Sequence, residues 1–231
     1  MRTFIVIVGV IALVAASSLP VAAQNYQTTV QIRYWGAGIS FGNPAPPTAT
    51  NSGSGWGGTL RLDQTARPWS FSARYDSISA TISAWPWDSA SVWDANVHYR
   101  FGPNPNTYLG AFAGYGGVRV NSTPLPGQNG SAAGFRIGAE FLNRQPSGLY
   151  FAGDIAYGPS WSSSFPGFPA LAAGNTWDGR VAVGYEFMGG WGVEVGYRQF
   201  RWQIPASPGC ATTPGCEYRF DGITGALTFR R

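Results

Sequence analysis

Charge is scarce in this sequence, and one basic residue type is missing from it. Only 11% of the residues are charged, all 15 basic residues are arginine, and lysine does not occur. The formal net charge is +4, but no basic cluster is dense enough to form a surface that follows nucleic-acid phosphates. The composition argues against a nucleic-acid partner, and a mildly basic rim favours only contact with lipopolysaccharide phosphates.

Cysteine and histidine are nearly absent as well. The two cysteines, Cys210 and Cys216, lie close together, whereas a zinc or redox pair needs further ligands or a C-x-x-C spacing. After export, such a pair is expected to form a disulfide that pins a loop. The sequence predicts no metal site and no cofactor.

Long apolar runs are limited to the first residues. Arg2 precedes the apolar run 4–16, and the small residues 21–23 follow it, which predicts a secretory signal peptide over 1–23 and one domain over 24–231. The run is short for a spanning helix, which needs roughly 20 apolar residues. No second long apolar run follows, so the remaining chain can cross a membrane only as a closed barrel.

Strict alternation of side-chain character is the main feature that is present. From Trp177 to Met188, tryptophan, valine, tyrosine and phenylalanine occupy one set of alternate positions, and all three charged residues occupy the other. A β-strand sends successive side chains to opposite faces, so this segment is a strand with one apolar and one charged face. The 32 glycines and the 15% aromatic content also favour turn-rich β structure.

The alternating segments are separated by connections of two lengths. Short turns are predicted near 65–67, 102–106, 143–148 and 188–190, and long connections over 36–55, 77–91, 119–131, 159–176 and 204–217. This asymmetry and an even strand count are typical of outer-membrane barrels with long extracellular loops. We therefore predict an all-β fold: a closed antiparallel up-and-down transmembrane β-barrel of ten strands with five extracellular loops. The count falls to eight if the weak segments at Val30–Tyr34 and Trp56–Gln64 do not span.

The distribution of aromatic and charged residues indicates which face points inward. Aromatic residues stand at both ends of the apolar faces and predict two interfacial girdles, formed by Trp69, Trp93, Phe101, Trp177, Phe187 and Trp191. The polar faces carry nearly equal opposite charges, which suit a narrow lumen where each ion needs a partner. The predicted luminal charge network comprises Arg74, Asp76, Asp94, His98, Arg100, Arg136, Glu140, Asp154, Asp178, Arg180, Glu186, Glu194 and Arg198. The weaker segments add Arg33, Arg61 and Asp63 to the polar faces.

Two hairpins carry a family resemblance. Segments 98–103 and 108–115, and likewise 183–187 and 192–198, resemble hairpins of the small OmpA/OmpX-type outer-membrane β-barrels. The resemblance implies a monomer in the bacterial outer membrane, surrounded by membrane lipid including lipopolysaccharide and inserted by the barrel-assembly machinery. The resemblance is specific for architecture, and for such a barrel we predict a structural, adhesive or narrow-pore role. A secreted soluble barrel that binds an apolar ligand is the alternative with the two faces reversed.

His98 is the one candidate for catalysis. Asp94 lies on the same strand face, but residues four apart on a strand are about 13 Å apart and cannot bond directly. A partner would have to come from a neighbouring strand. The sequence favours a satisfied luminal histidine, so no catalytic residue is predicted; the alternative is a barrel enzyme that uses His98 on lipid A or peptides.

Overall fold

A computed structural model describes residues 26–42, 49–80, 89–102, 104–121, 129–164, 173–206 and 215–231. The predicted signal peptide and Cys210 lie outside these residues. Within the described ranges, no helix has the length and apolar character needed to cross a membrane.

The described chain is built from antiparallel strands that close on themselves. Each strand pairs with the next along the chain, and the last pairs with the first. The strands are β1 (Tyr26–Gly42), β2 (Ala49–Gln64), β3 (Trp69–Ala80), β4 (Ser89–Phe101), β5 (Thr107–Asn121), β6 (Gly130–Arg144), β7 (Leu149–Ser164), β8 (Gly174–Glu186), β9 (Trp191–Ile204) and β10 (Cys216–Arg230). The predicted closed barrel of ten strands is confirmed, and the eight-strand alternative is wrong.

The two ends of the barrel differ in their connections. At one end, the short-turn end, strands are joined through 65–68, 102–106, 145–148 and 187–190. Gly148 and Gly189 have φ values of 92° and 83°, which side chains rarely tolerate, so glycine permits these tight reversals. The strand ends beside the other five connections lie at the opposite end, the long-connection end, as the alternation of connection lengths predicts.

Strands continue further toward the long-connection end than predicted. The expected connection over 36–55 is mostly strand, because β1 continues to Gly42 and pairs there with β10. In this region the inward residues Ala37 and Ile39 are apolar, while outward residues such as Gly38 are small. Because the outward residues are no longer apolar here, the sequence lacks the outward-apolar alternation seen in the rest of the strand. A segment without that alternation is predicted as a loop.

Apolar side chains fill the interior at the long-connection end. This apolar layer consists of Trp35, Ala37, Ile39, Ile78, Ala90, Val92, Val118, Val120, Ala132, Trp161, Phe200, Trp202, Ile204, Cys216, Tyr218 and Phe220. Polar and charged side chains fill the rest of the interior and form a charged layer beneath it. The predicted charged lumen therefore occupies only the part of the barrel nearer the short turns.

The outward face shows the opposite order. Between the predicted girdles, outward side chains such as Val181, Val195 and Ile223 are apolar and more than half exposed. From the level of Trp177 toward the long-connection end, the outward face carries charged residues including Arg201 and Arg219. The polarity of the wall thus inverts along the barrel axis. The apolar belt faces lipid, and the segment beyond it has a soluble-protein arrangement with its apolar side chains inside.

Candidate functional site

Asp178 is the centre of the charged layer. Arg198 donates from Nε to Oδ1 at 2.9 Å and from Nη2 to Oδ2 at 3.0 Å. Arg74 also donates to Oδ2, and Arg136 Nη1 lies 3.4 Å from the same atom. Asp178 is 2% exposed, so one buried carboxylate carries the contacts of three arginines.

Further carboxylates surround these arginines. Arg74 Nε donates to Asp94 Oδ2 at 2.7 Å, and Arg136 Nη1 lies 3.0 Å from the same carboxylate. Arg198 also bonds Asp76 on the other side of the lumen. The result is an alternating chain of buried cations and anions in which each charge is compensated, as a low-dielectric interior requires.

A second group of contacts extends this network toward β7 and β9. Arg180 bridges Asp154 at 2.9 Å and Glu194 at 3.1 Å. Gln31 Nε2 donates to Glu194 Oε1 at 3.0 Å, and Tyr150 donates to the other oxygen of Glu194 at 3.3 Å. These contacts tie β1 and β7 to β9 across the lumen.

The short-turn end of the interior has its own polar contacts. Glu186 lies 3.1 Å from Arg144 and 3.2 Å from Arg230. Arg100 donates to the backbone oxygens of Gln64 and Arg67 at 2.5 Å and 2.7 Å. Among the described contacts, Arg100 is the predicted network member that bonds carbonyl groups at the end of β2 and in the following turn instead of a carboxylate.

The structure thus places the predicted network residues together inside the barrel. The network also includes arginines that the sequence analysis assigned only to polar faces or did not identify. Arg33 lies 3.0 Å from Asp76, and Arg61 bonds both Asp63 and Glu140. These arginines are on the strands with the weakest alternation. Arg144 and Arg230 were missed because they stand at strand ends, where periodicity gives little information.

His98 is held between a hydroxyl and a carboxylate. Ser72 Oγ lies 2.8 Å from His98 Nε2, and Glu140 Oε2 lies 3.1 Å from His98 Nδ1. The contact of Nδ1 with Glu140 does not have hydrogen-bond geometry, but the nearby carboxylate favours a proton on Nδ1, which leaves Nε2 to accept the Ser72 hydroxyl proton. The order of the three groups is that of a nucleophile, a base and an orienting acid. The sequence could not identify Ser72 or Glu140 as the partners.

Two features of this triplet differ from a catalytic triad. Both oxygens of Glu140 accept bonds from Arg61, at 2.7 Å and 3.0 Å. Ser72 lies on β3 between two paired strands, so backbone N–H groups around it are used in the ladders and cannot form an oxyanion hole. His98 is 4% exposed, and its ring is tilted by 41° against that of Phe112, with the centroids 5.1 Å apart.

The predicted girdle residues all point outward. Trp69, Trp93, Phe101, Trp177, Phe187 and Trp191 are between 37% and 57% exposed. They contact other outward rings: the Trp69–Tyr99 centroids are 4.9 Å apart, and the Tyr157–Trp177 centroids are 4.6 Å apart. Such outward rings at both ends of an apolar belt are the arrangement of interfacial aromatic girdles.

The structure bears only in part on the metal and disulfide predictions. In the described ranges no group of three or more histidine, cysteine, aspartate or glutamate side chains is placed to hold a metal ion. Cys216 is buried at the start of β10. Because Cys210 is outside the described residues, the Cys210–Cys216 disulfide stays a prediction.

An apolar belt outside, compensated charges inside and strands closed without an edge define an integral outer-membrane β-barrel. Comparison with known proteins agrees. Residues 9–165 match the family described as outer membrane protein beta-barrel domain, and the chain belongs to this family. The protein is located in the outer membrane, so the alternative of a secreted soluble barrel is set aside.

Several solved structures are similar to this chain at low sequence identity. The outer membrane protease OmpT from Escherichia coli is similar with a TM-score of 0.61 and 14% identity, over 89% of this chain and 97% of that one. An outer membrane channel from Pseudomonas putida F1 has a TM-score of 0.45 and 14% identity, over 93% and 97%. Neisserial surface protein A has a TM-score of 0.40 and 12% identity, over 87% and 96%. Among curated proteins, no sequence matches this chain.

Proposed function

We propose that the protein is a sealed surface scaffold: a barrel that does not conduct and that holds its five long connections at the outer face of the membrane. The observation that carries this proposal is the filled interior, in which a charged layer and an apolar layer follow one another along the axis. The structural and adhesive roles predicted from the sequence fit such a scaffold, whereas the narrow-pore role does not.

Contacts across the lumen support the sealing role of the charged layer. Arg61 on β2 bonds Glu140 on β6, Arg74 on β3 bonds Asp178 on β8, and Arg198 on β9 bonds Asp76 on β3. These strands are not neighbours in the barrel. Direct ion pairs between distant parts of the wall occupy the space that a water column would need.

The apolar layer adds a second seal. Trp35, Trp161 and Trp202 are each at most 1% exposed. Arg198 lies 4.7 Å over the ring of Trp35, so the two layers are in contact through a cation–π interaction. A hydrated ion would have to pass through a layer of buried aromatic side chains and would lose its hydration shell there.

The connections supply the surface on which a scaffold acts. Their sequences are rich in glycine, proline, serine, threonine and asparagine and contain Trp85 and Trp87. Binding residues often lie on loops that a rigid scaffold holds in place. An adhesive role would use these connections, and the barrel would only present them.

Conductance measurements test the sealed interior. Purified barrel reconstituted in a planar lipid bilayer is expected to give no unitary current in 1 M salt, because ion pairs and buried aromatic side chains of the described residues occupy the lumen. A general porin in the same bilayer is the positive control, and heat-modifiable gel migration verifies that the inserted barrel is folded. Stable current steps that scale with salt concentration would contradict the proposal.

The second candidate function is hydrolysis, and the Ser72–His98–Glu140 triplet is the observation that favours it. In this mechanism His98 Nε2 takes the Ser72 proton while Ser72 Oγ attacks the carbonyl carbon of a small ester. The protonated imidazole then gives that proton to the leaving alcohol. Water finally hydrolyses the acyl group on Ser72 and releases the acid. Glu140 holds the imidazole orientation. Because Ser72 is only partly buried, a small substrate arriving from the short-turn end is the class to test.

Covalent labelling separates this candidate from a structural histidine. If the triplet is catalytic, a small fluorophosphonate labels wild-type folded barrel at Ser72, and Ser72→Ala removes both the label and the hydrolysis of p-nitrophenyl acetate. Ser70→Ala is the matched control, since Ser70 also points inward on β3 but bonds Asp63 at 2.6 Å. Absence of any label on folded wild-type protein leaves His98 with a structural role alone.

A further inference from the structure

The outward wall has an indentation beside Gly179. It has a volume of about 290 Å³ and is lined by Ile155, Trp177, Asp178, Gly179, Gln199 and Arg201. Gly179 pairs with Ile155 on β7 and with Gln199 on β9, so it forms the floor between those two neighbours. A side chain built at Gly179 would meet its nearest atom only at 4.0 Å, so the space above the glycine is open.

The walls of the indentation are mainly apolar. Ile155 is 52% exposed and Trp177 is 44% exposed, and both point out of the barrel. Its volume is at the small end of the range for ligand pockets, about 300–1,000 Å³. The space therefore suits part of one extended apolar chain, and a whole lipid would extend beyond it.

One edge of the indentation is cationic. Arg201 pairs in register with Trp177 on one side and with Arg219 on the other. Arg201 Nε is 3.9 Å from Glu217, beyond hydrogen-bond distance, and has no hydrogen-bond partner among the described residues. The Arg201 side chain is 37% exposed. Two arginines directly opposite on neighbouring strands repel one another. Arg219 Nε lies 3.0 Å from Asp221, so the charge of Arg219 is already compensated in part. The charge of Arg201 is compensated less closely, and an anion bound between the two guanidinium groups would supply that compensation.

The position of this edge along the barrel axis indicates which anion could bind there. Trp177 belongs to the girdle at the long-connection end, where the apolar belt meets the head groups. Long connections are extracellular in this class of barrel, so Arg201 stands at the level of the outer-leaflet phosphates. In that leaflet the lipid that joins acyl chains to sugar phosphates is lipid A.

We propose that this indentation is a binding site for one lipid A molecule, with an acyl chain over Gly179 and a phosphate on Arg201 and Arg219. Arginine is suited to this role because its planar group can donate two parallel hydrogen bonds to a phosphate. The site depends on the outer-membrane position of the barrel, and it is independent of whether the lumen conducts.

Native mass spectrometry of the full barrel in detergent tests the site. Wild-type protein is expected to retain one diphosphoryl lipid A, with weaker retention of the monophosphoryl form and none of phosphatidylethanolamine. Arg201→Gln combined with Arg219→Gln is expected to weaken retention about tenfold, the size of a lost charged hydrogen bond. Glu217→Gln removes the carboxylate nearest Arg201 and is expected to strengthen retention.

Blocking the acyl-chain part gives a separate readout. Gly179→Val places a side chain in open space on a strand, so the barrel is expected to fold normally and to lose retention of lipid A. Gly225→Val is the matched control, because Gly225 also points outward on its strand and a side chain there meets nothing within 4 Å. Arg119→Gln is the control for the arginines, since Arg119 is outward on β5 and bonds Asn121 at 3.0 Å.

Two outcomes would overturn the proposal. One is equal retention of lipid A by wild type, by the double arginine variant and by Gly179→Val, with heat-modifiable migration showing that all are folded. The other is equal retention of phosphatidylethanolamine and lipid A by wild type, which would mean ordinary annular lipid without a phosphate-specific site.

Discussion

Replacing Asp178 with alanine is expected to lower the free energy of unfolding by about 3–5 kcal/mol, the usual cost of removing one partner from a buried ion pair. The carboxylate bonds Arg198 at 2.9 Å and also contacts Arg74 and Arg136. Without it, three buried guanidinium groups share fewer anions in a medium that solvates charge poorly. Urea titration of the barrel in lipid vesicles, followed by gel migration without heating, measures the loss.

Asp221→Ala is the matched control for Asp178. Asp221 is an aspartate that points outward on β10, pairs with Arg219 at 3.0 Å and has a side chain that is 23% exposed. Ion pairs with this access to solvent contribute about 0–1 kcal/mol. Similar losses for the two variants would mean that the luminal network does not hold its charges in a low-dielectric interior, and that water reaches Asp178.

The network contacts themselves could not be read from the sequence. Alternation assigns Arg74 and Asp178 to polar faces, but these residues are 104 positions apart. Their contact depends on barrel closure and on the register between all the intervening strands. A one-residue register shift would turn either side chain to the lipid. The sequence therefore predicts which residues enter the lumen, and only the closed barrel decides which of them meet.

The long-connection end was harder to predict for a different reason. Alternation continues there, but the chemistry of the two faces is exchanged: Ala37 and Ile39 point inward, while Gly38 points outward. Because an apolar outward face was expected of a strand, residues 36–42 were assigned to a connection, although they belong to β1. The local pattern was present, but its meaning depends on where the membrane ends.

The partners of His98 also depend on contacts between strands, which the sequence does not reveal. Strand geometry correctly excluded a direct bond to Asp94 on the same strand. Ser72 comes from the adjacent strand β3, and Glu140 comes from β6, two strands away in the barrel order. Neither relation leaves a local motif in the sequence.

Because the polarity of the outward face changes along the barrel axis, the same substitution is expected to have different energetic costs at two positions on β9. Val195→Arg is expected to lower the free energy of unfolding by about 2–4 kcal/mol, because an outward arginine there enters the middle of the apolar belt. Val195 points outward on β9 and is 59% exposed. The measurement is urea titration of both folded variants in vesicles of the same lipid.

Gln203→Arg is the matched variant on the same strand and face. Gln203 lies beyond the girdle and donates to Glu217 at 2.8 Å, so an arginine there keeps a polar neighbour and access to water. Its cost is expected to be about 0–1 kcal/mol, as for charged residues near the interface. Equal costs at the two positions would place both side chains in the same environment. The membrane boundary would then not lie at the Trp177 girdle. The apolar layer inside the barrel could then not be explained by extension of the barrel beyond the membrane.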